Sequence, residues 1–126
     1  MTRTPNTPWI SQIRETSDWE LANDPCNIEL GNTWHVPTYT EWLNVQTTGG
    51  WTTATAAWAS ALKIHAAGNI GNEGQIAVRG YYGWYFSNMM YIFSSSEALS
   101  TNAGGVCQVT LTTKGQGVTL RCIRDN

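Results

Sequence analysis

Charge is what this sequence of 126 residues has least of: only 13% of them are Asp, Glu, Lys or Arg, where soluble chains carry about 25%. Seven basic against nine acidic residues leave a formal net charge of −2. That excludes a basic nucleic-acid-binding surface and a charge-rich disordered tail. Long apolar runs are missing too. Gly, Ser or Thr interrupts each one well before the ~18 residues that span a bilayer, so this chain is not expected to insert in a membrane. The opening MTRTPNTPWI has no apolar signal-peptide core. His35 and His65 are the only histidines, and without C-x-x-C or H-x-x-x-H spacing no metal site is expected. The carboxylates are scattered, and the one close pair, Asp18 and Glu20, would point to opposite faces of an extended segment, so no general acid–base pair stands out. The glycine-punctuated stretch 68–83 has neither G-x-G-x-x-G nor a P-loop lysine, which removes the usual phosphate cradle. A Cys107–His65 nucleophile would need a cysteine on the apolar face of an expected strand, where a buried structural thiol is the better reading. These absences point away from an enzyme and away from any cofactor.

What the sequence has is aromatic and turn-forming: seven Trp, five Tyr, two Phe and twelve Gly. A chain this long buries roughly two-thirds of its unfolded surface around one core. Three of the four prolines fall before residue 33, in TPNTP and NDPCN. Residues 1 to about 32 therefore read as extended chain with turns, the first 23 of them a lead-in ordered against the domain, with Trp9, Ile10, Ile13 and Trp19 to bury, a short helix at Ile10–Ile13 and a strand or turn at Asp18–Leu21. The domain proper is 24–126. Trp34 and Val36 alternate as a short strand, Pro37 stops it, and Thr38 with Glu41 forms a capping box for a helix that buries Trp42, Leu43 and Val45. Thr47–Gly50 ends that helix. The alanine run after Trp51 predicts a second helix to about Ser60, and the alternation of Leu62, Ile64 and Ala66 predicts a strand. Trp34, Trp42, Trp51 and Trp58 are expected in the core.

Beyond Trp84 the chain reads as strands: a short one at Gln75–Val78 before it, Tyr85–Asn88 and Tyr91–Ser94 after, with turns at Ser94–Ser96 and Thr101–Gly105. Cys107, Val109 and Leu111 share one face, and so do Val118, Leu120 and Cys122 beyond the loop Lys114–Gly117, which predicts a terminal β-hairpin. In that hairpin Cys122 would sit diagonal to Cys107 at about 7–8 Å, a strained spacing for a disulfide. Cys26 is then the favoured partner of Cys122, with three reduced buried thiols as the alternative. A bridge implies an oxidising compartment, reconciled with the missing signal peptide if this stretch is excised from a larger exported protein.

Tyr81, Tyr82, Trp84, Tyr85, Met89, Met90, Tyr91 and Ile92 crowd into twelve positions, more than one small core can turn inward. About half should be buried, Tyr85 and Phe93 first. The rest, beside Ser, Asn and Thr, suit recognition by a surface.

Taken in order, Asp24-Pro25-Cys26, Trp34-His35-Val36-Pro37-Thr38-x-x-Glu41-Trp42, Leu62-Lys63-x-x-Ala66-Ala67-Gly68, Arg79-Gly80-x-x-Gly83-x-Tyr85-Phe86-Ser87 and Gly117-Val118-Thr119-Leu120-Arg121-Cys122-Ile123-Arg124-Asp125 resemble the Fibrobacter succinogenes major paralogous domain. The resemblance spans residues 24–125 and departs from the family at Phe86, where Trp is commoner, and at Ser94–Glu97. It implies an α+β, C-type-lectin-like fold, one or two helices on small antiparallel sheets with a C-terminal β-hairpin. It also supports the Cys26–Cys122 pairing, since both cysteines fall in the family's end motifs. Such domains occur on bacterial surface and secreted proteins, especially in gut Bacteroidetes, and similar ones are the variable proteins of diversity-generating retroelements. The implied role is a non-enzymatic ligand-binding domain on a bacterial surface or phage receptor-binding protein, with a host or bacterial surface protein or a glycan as partner. The competing role is a structural or assembly module with no free ligand.

On that reading the binding positions are the outward ones of the last third: Tyr81, Tyr82, Trp84, Asn88, Met89, Met90 and Tyr91, then Thr101, Asn102, Gln108, Thr110 and Thr112. The Glu-Pro-Asn, Gln-Pro-Asp and Trp-Asn-Asp motifs that give C-type lectins their calcium oxygens are absent, so no calcium site is expected. The related formylglycine-generating fold needs a longer chain and more free cysteines.

Overall fold

One buried carboxylate organises the entry to the domain. In the computed structural model, which describes residues 17–92 and 94–125, Asp24 Oδ1 accepts from Cys26 N–H at 2.7 Å and Asn27 N–H at 3.2 Å. With Pro25 in the first helical position this caps helix α1, Pro25–Leu30. Its other oxygen accepts from Val36 N–H at 2.8 Å, tying the helix to the next strand, β1, Trp34–His35. Thr38 and Glu41 then close the expected capping box, and helix α2 runs Tyr39–Thr48. Trp42 is buried and Val45 packs against the same core. Leu43, expected there, is exposed, because adjacent helix positions diverge by about 100° and only residues three or four apart share a face. Thr53 caps helix α3, Ala54–Ala59, which stops at Ser60 as the sequence suggests.

The strand expected at 62–66 does not form. Lys63 takes φ 50°, Leu62 and His65 are exposed and Ile64 alone is fully buried. The backbone of His65 finds a side chain in place of a strand: Tyr85 Oη accepts from its N–H at 3.1 Å and donates to its carbonyl at 2.9 Å. Strands β2, Asn69–Ile70, and β3, Ile76–Ala77, form a small antiparallel pair, so the strand expected near 75–78 is present but shorter.

The main sheet is an antiparallel meander of β4, Tyr82–Met90, β5, Ser95–Asn102, and β6, Cys107–Thr113. Ser95 and Ser96, read as part of a turn, open β5, and Tyr91, Ile92 and Ser94, read as strand, lie outside the strands. Hydroxyls knit the register shift between Phe86 and Met90: Ser87 Oγ donates to Glu97 O at 2.9 Å and Ser96 Oγ to Met89 O at 2.9 Å. Tyr85, Leu99 and Cys107 on the inner face close a core with Trp42, Trp51, Ala57 and Ile64. Trp34 is half-buried and Trp58 is 54% exposed, so two of the four expected core tryptophans stand outside it.

The expected C-terminal hairpin is also absent. β6 spends its ladder on β5, and residues 117–124 cross to the other side of the sheet. Thr119 bridges β4 through Trp84 O and Phe86 N–H at 3.1 and 3.3 Å, Gly117 exchanges hydrogen bonds with Ile70 at 2.7 and 2.9 Å, and β7, Ile123–Arg124, pairs antiparallel with β1. Cys122 thereby meets Cys26, with Cα atoms 5.6 Å apart. The pairing stands, although the hairpin geometry that disfavoured Cys107 does not exist.

Of the lead-in, Trp19 donates its backbone N–H to Asn88 O at 3.0 Å and sets its ring edge-on to Phe86. Leu21–Asn23 is a 3₁₀ turn. The burial expected for Trp9, Ile10 and Ile13, the short helix there, and the core role of Phe93 lie outside the described residues. No helix among the described residues is long and apolar enough to cross a membrane. The fold is α+β: short helices on small antiparallel sheets.

Candidate ligand-binding face

Strand alternation sorts the candidate residues. On β4, Gly83, Tyr85 and Ser87 point to the core and Tyr82, Trp84 and Phe86 point away from it. Register carries that outer face across the sheet: Tyr82 lies opposite Asn102, Trp84 opposite Ser100 and then Gln108, and Phe86 opposite Ala98 and then Thr110. Five of the twelve positions, Tyr82, Trp84, Asn102, Gln108 and Thr110, therefore share one surface. The central strand adds half-buried Asn102 and then Ser100 and Ala98, which are 9% and 0% exposed, so the large side chains of β4 and the polar ones of β6 flank a low, buried middle row. The Tyr82 and Trp84 rings stack, with centroids 5.4 Å apart and planes 11° from parallel. The face holds no Asp, Glu, His, Lys or Arg side chain, so what it offers a ligand is aromatic area and neutral hydrogen bonding.

Tyr81 extends the face at one end. It is 67% exposed, and with Tyr82, Asn102, Gly104 and Val106 it borders an open hollow of about 310 Å³. Asn102 shapes this corner: its backbone N–H donates to Val106 O at 3.0 Å and its Oδ1 accepts from Val106 N–H at 3.3 Å. Half-buried Asn88 and exposed Met89 and Tyr91 belong to the opposite end of β4, about 25 Å from Tyr82 on strand rise.

Three expected outward positions are buried. Thr101, 1% exposed, faces the core between Gly83 and Cys107, because it belongs to β5 and not to a turn. Met90 follows the register shift, pairs with Ser96 and gives its N–H to Asp18 Oδ1 at 2.8 Å. Thr112 lies opposite Ser96 where the chain closes on itself, Lys114 N–H donating to Ser94 O at 2.8 Å. The sequence reading missed exposed Val106 and the buried middle row of Ser100 and Ala98. The alternation Ser96-Ala98-Ser100 carried the signal for the low central row, and it was masked by the turn character of serine.

The motif residues near the chain's start and end assemble elsewhere, as a tether. His35 Nε2 lies 3.1 Å from both Glu41 carboxylate oxygens and its Nδ1 is 3.5 Å from Asp125 Oδ1. Burial pushes the Glu41 pKa up, but hydrogen bonds from the Thr38 N–H, His35 and the Thr38 hydroxyl outweigh it, and the net shift is downward. Cys107 is a buried free thiol whose pKa burial pushes up to about 11, which keeps it protonated and poorly nucleophilic at neutral pH. Among the described residues no group of three or more His, Cys, Asp or Glu could hold a metal ion.

Compared with known protein families, curated proteins and solved structures, the chain matches none. Its functional reading rests on its own residues.

Proposed function

We propose that this chain is a non-enzymatic, C-type-lectin-like ligand-binding domain whose contact surface is the outer face of the β4–β5–β6 sheet. The observation that carries the proposal is the register: Tyr82, Trp84, Asn102, Gln108 and Thr110 come from three strands onto one uncharged face, with two rigid aromatic rings at its edge. Rigid Tyr and Trp beside adaptable Asn, Gln and Thr is the chemistry of binding surfaces, and it suits a glycan ring or a protein loop. The disulfide favours an oxidising location, so the proposed setting is a bacterial surface, the extracellular space or a phage virion. The motif resemblance extends the proposal to a variable protein of a diversity-generating retroelement, in which substitutions would fall on these outward positions and spare the tether of Asp24, Cys26, His35, Glu41 and Cys122.

The test is a screen of glycans and host surface proteins with the oxidised domain, beside a variant carrying Tyr82→Ala, Trp84→Ala and Gln108→Ala. Binding by the native chain that falls at least about tenfold in the folded variant is expected, since a pair of stacked aromatic contacts with a hydrogen-bonding partner carries that much energy. Binding that survives the triple substitution would move the site off this face. Binding by neither form would favour a structural or assembly module.

A further inference from the structure

On the helix side of the sheet, away from the outer face, the chain encloses a recess of about 160 Å³. Trp42 and Ile64 are its buried floor, Val45 and Ile123 its half-buried walls, and Arg121 and Glu41 its polar edge. An apolar cavity of about 150 Å³ is large enough to take benzene. This one differs in having a cation at its mouth. Arg121 Nη2 donates to Leu62 O at 3.3 Å and its guanidinium lies 5.8 Å from the Tyr85 ring centre, which fixes its position, yet among the described residues it has no carboxylate partner. The carboxylate beside it is already engaged: Glu41 Oε2 accepts from the Thr38 N–H and hydroxyl at 2.8 and 2.9 Å, and both oxygens face His35.

We propose that this recess is a small-molecule site for a compact apolar carboxylate, its ring or branched alkyl body against Trp42 and Ile64 and its carboxylate on Arg121. Size excludes anything longer than a single ring or a short branched chain. Charge selects an anion, because the guanidinium at the mouth spends one donor on Leu62 O and its remaining planar donors match a carboxylate.

The experiment is an NMR titration of the oxidised chain with sodium benzoate, and in parallel with benzamide, its neutral counterpart of the same shape. Benzoate is expected to shift the Trp42 indole and the Ile64, Val45 and Ile123 methyl signals with a Kd of about 1 mM, a reasonable affinity for so small a ligand. Benzamide should bind about tenfold more weakly. Arg121→Gln should bring benzoate down to the benzamide value, while Arg121→Lys, which keeps the charge, retains part of the preference. Val45→Phe, placed at a half-buried wall to fill the space, should abolish binding of both without touching the guanidinium. Absence of benzoate shifts at Trp42 and Ile64 up to about 20 mM, equal binding of benzamide, or undiminished binding in Val45→Phe would each overturn the proposal.

Discussion

Glu41 performs three tasks with one carboxylate: it completes the helix cap with Thr38, orients His35, and through His35 reaches Asp125. Because its folded pKa lies below the ordinary value of 4.5, its ionised form is favoured in the folded chain. The stability it contributes is therefore complete above the unfolded pKa and is lost as pH falls through the folded one. Urea midpoints of the native chain should decline as pH drops below about 5, and Glu41→Gln should flatten that decline while lowering the plateau near neutrality. An unchanged pH slope in the variant would assign the acid sensitivity to other carboxylates. Thr38 and Glu41 were legible in the sequence because a capping box is written within four residues, whereas Asp24-Pro25 reads as turn punctuation and the helix it caps, α1, is not expected from it. What the sequence does not write is the second partner: Val36 N–H on Asp24, or Asp125 beside His35, both of which depend on where distant chain arrives.

At the level of elements, the strands were recognisable by alternation, but their partners were not. β6 and residues 118–122 both alternate, so a hairpin between them fits the apolar pattern as well as the observed pairing of β6 with β5 does. The side chains of Ser96, Ala98 and Ser100 decide the matter, since small residues let the central strand lie between two bulkier neighbours. Glycine marks where the far side of the sheet is closed. At Gly83 an added Cβ would fall on the His65 carbonyl oxygen and stand 3.0 Å from Ala66 Cα, where Gly68 N–H donates to Tyr82 O at 2.7 Å. Gly83→Ala should therefore cost about 2–3 kcal/mol by pushing β4 off residues 65–68. Gly80 is the control: its φ is +82°, but a Cβ there meets nothing within 4 Å, so Gly80→Ala should cost only about 1 kcal/mol of backbone strain. Chemical denaturation of both variants checks the order, and a Gly80→Ala loss larger than that of Gly83→Ala would contradict the close approach.

Across the whole molecule, the two ends of the domain are held by one assembly made of β1 with β7, the Cys26–Cys122 bond, and Asp125 N–H on Thr33 O at 2.8 Å. The candidate face is built from the middle of the sheet, so side chains there can change without touching the tether. The cross-link joins residues 96 apart, and on the chain-entropy account a loop of that size stabilises by roughly 4–5 kcal/mol, chiefly by restricting the unfolded chain. A domain whose total stability is about 5–15 kcal/mol should then become marginal on reduction. The expected result for the Cys26→Ala/Cys122→Ala double variant is a urea midpoint well below that of the oxidised chain, with hydrogen exchange at β1 and β7 accelerating before that of β4, β5 and β6. That order follows because β1 and β7 are two residues each and lean on the bond, while the three-stranded meander carries its own ladder and the core side chains Tyr85, Leu99 and Cys107. Simultaneous acceleration everywhere would mean that tether and sheet unfold as one unit, and substitutions on the binding face would then draw on the same stability as the cross-link.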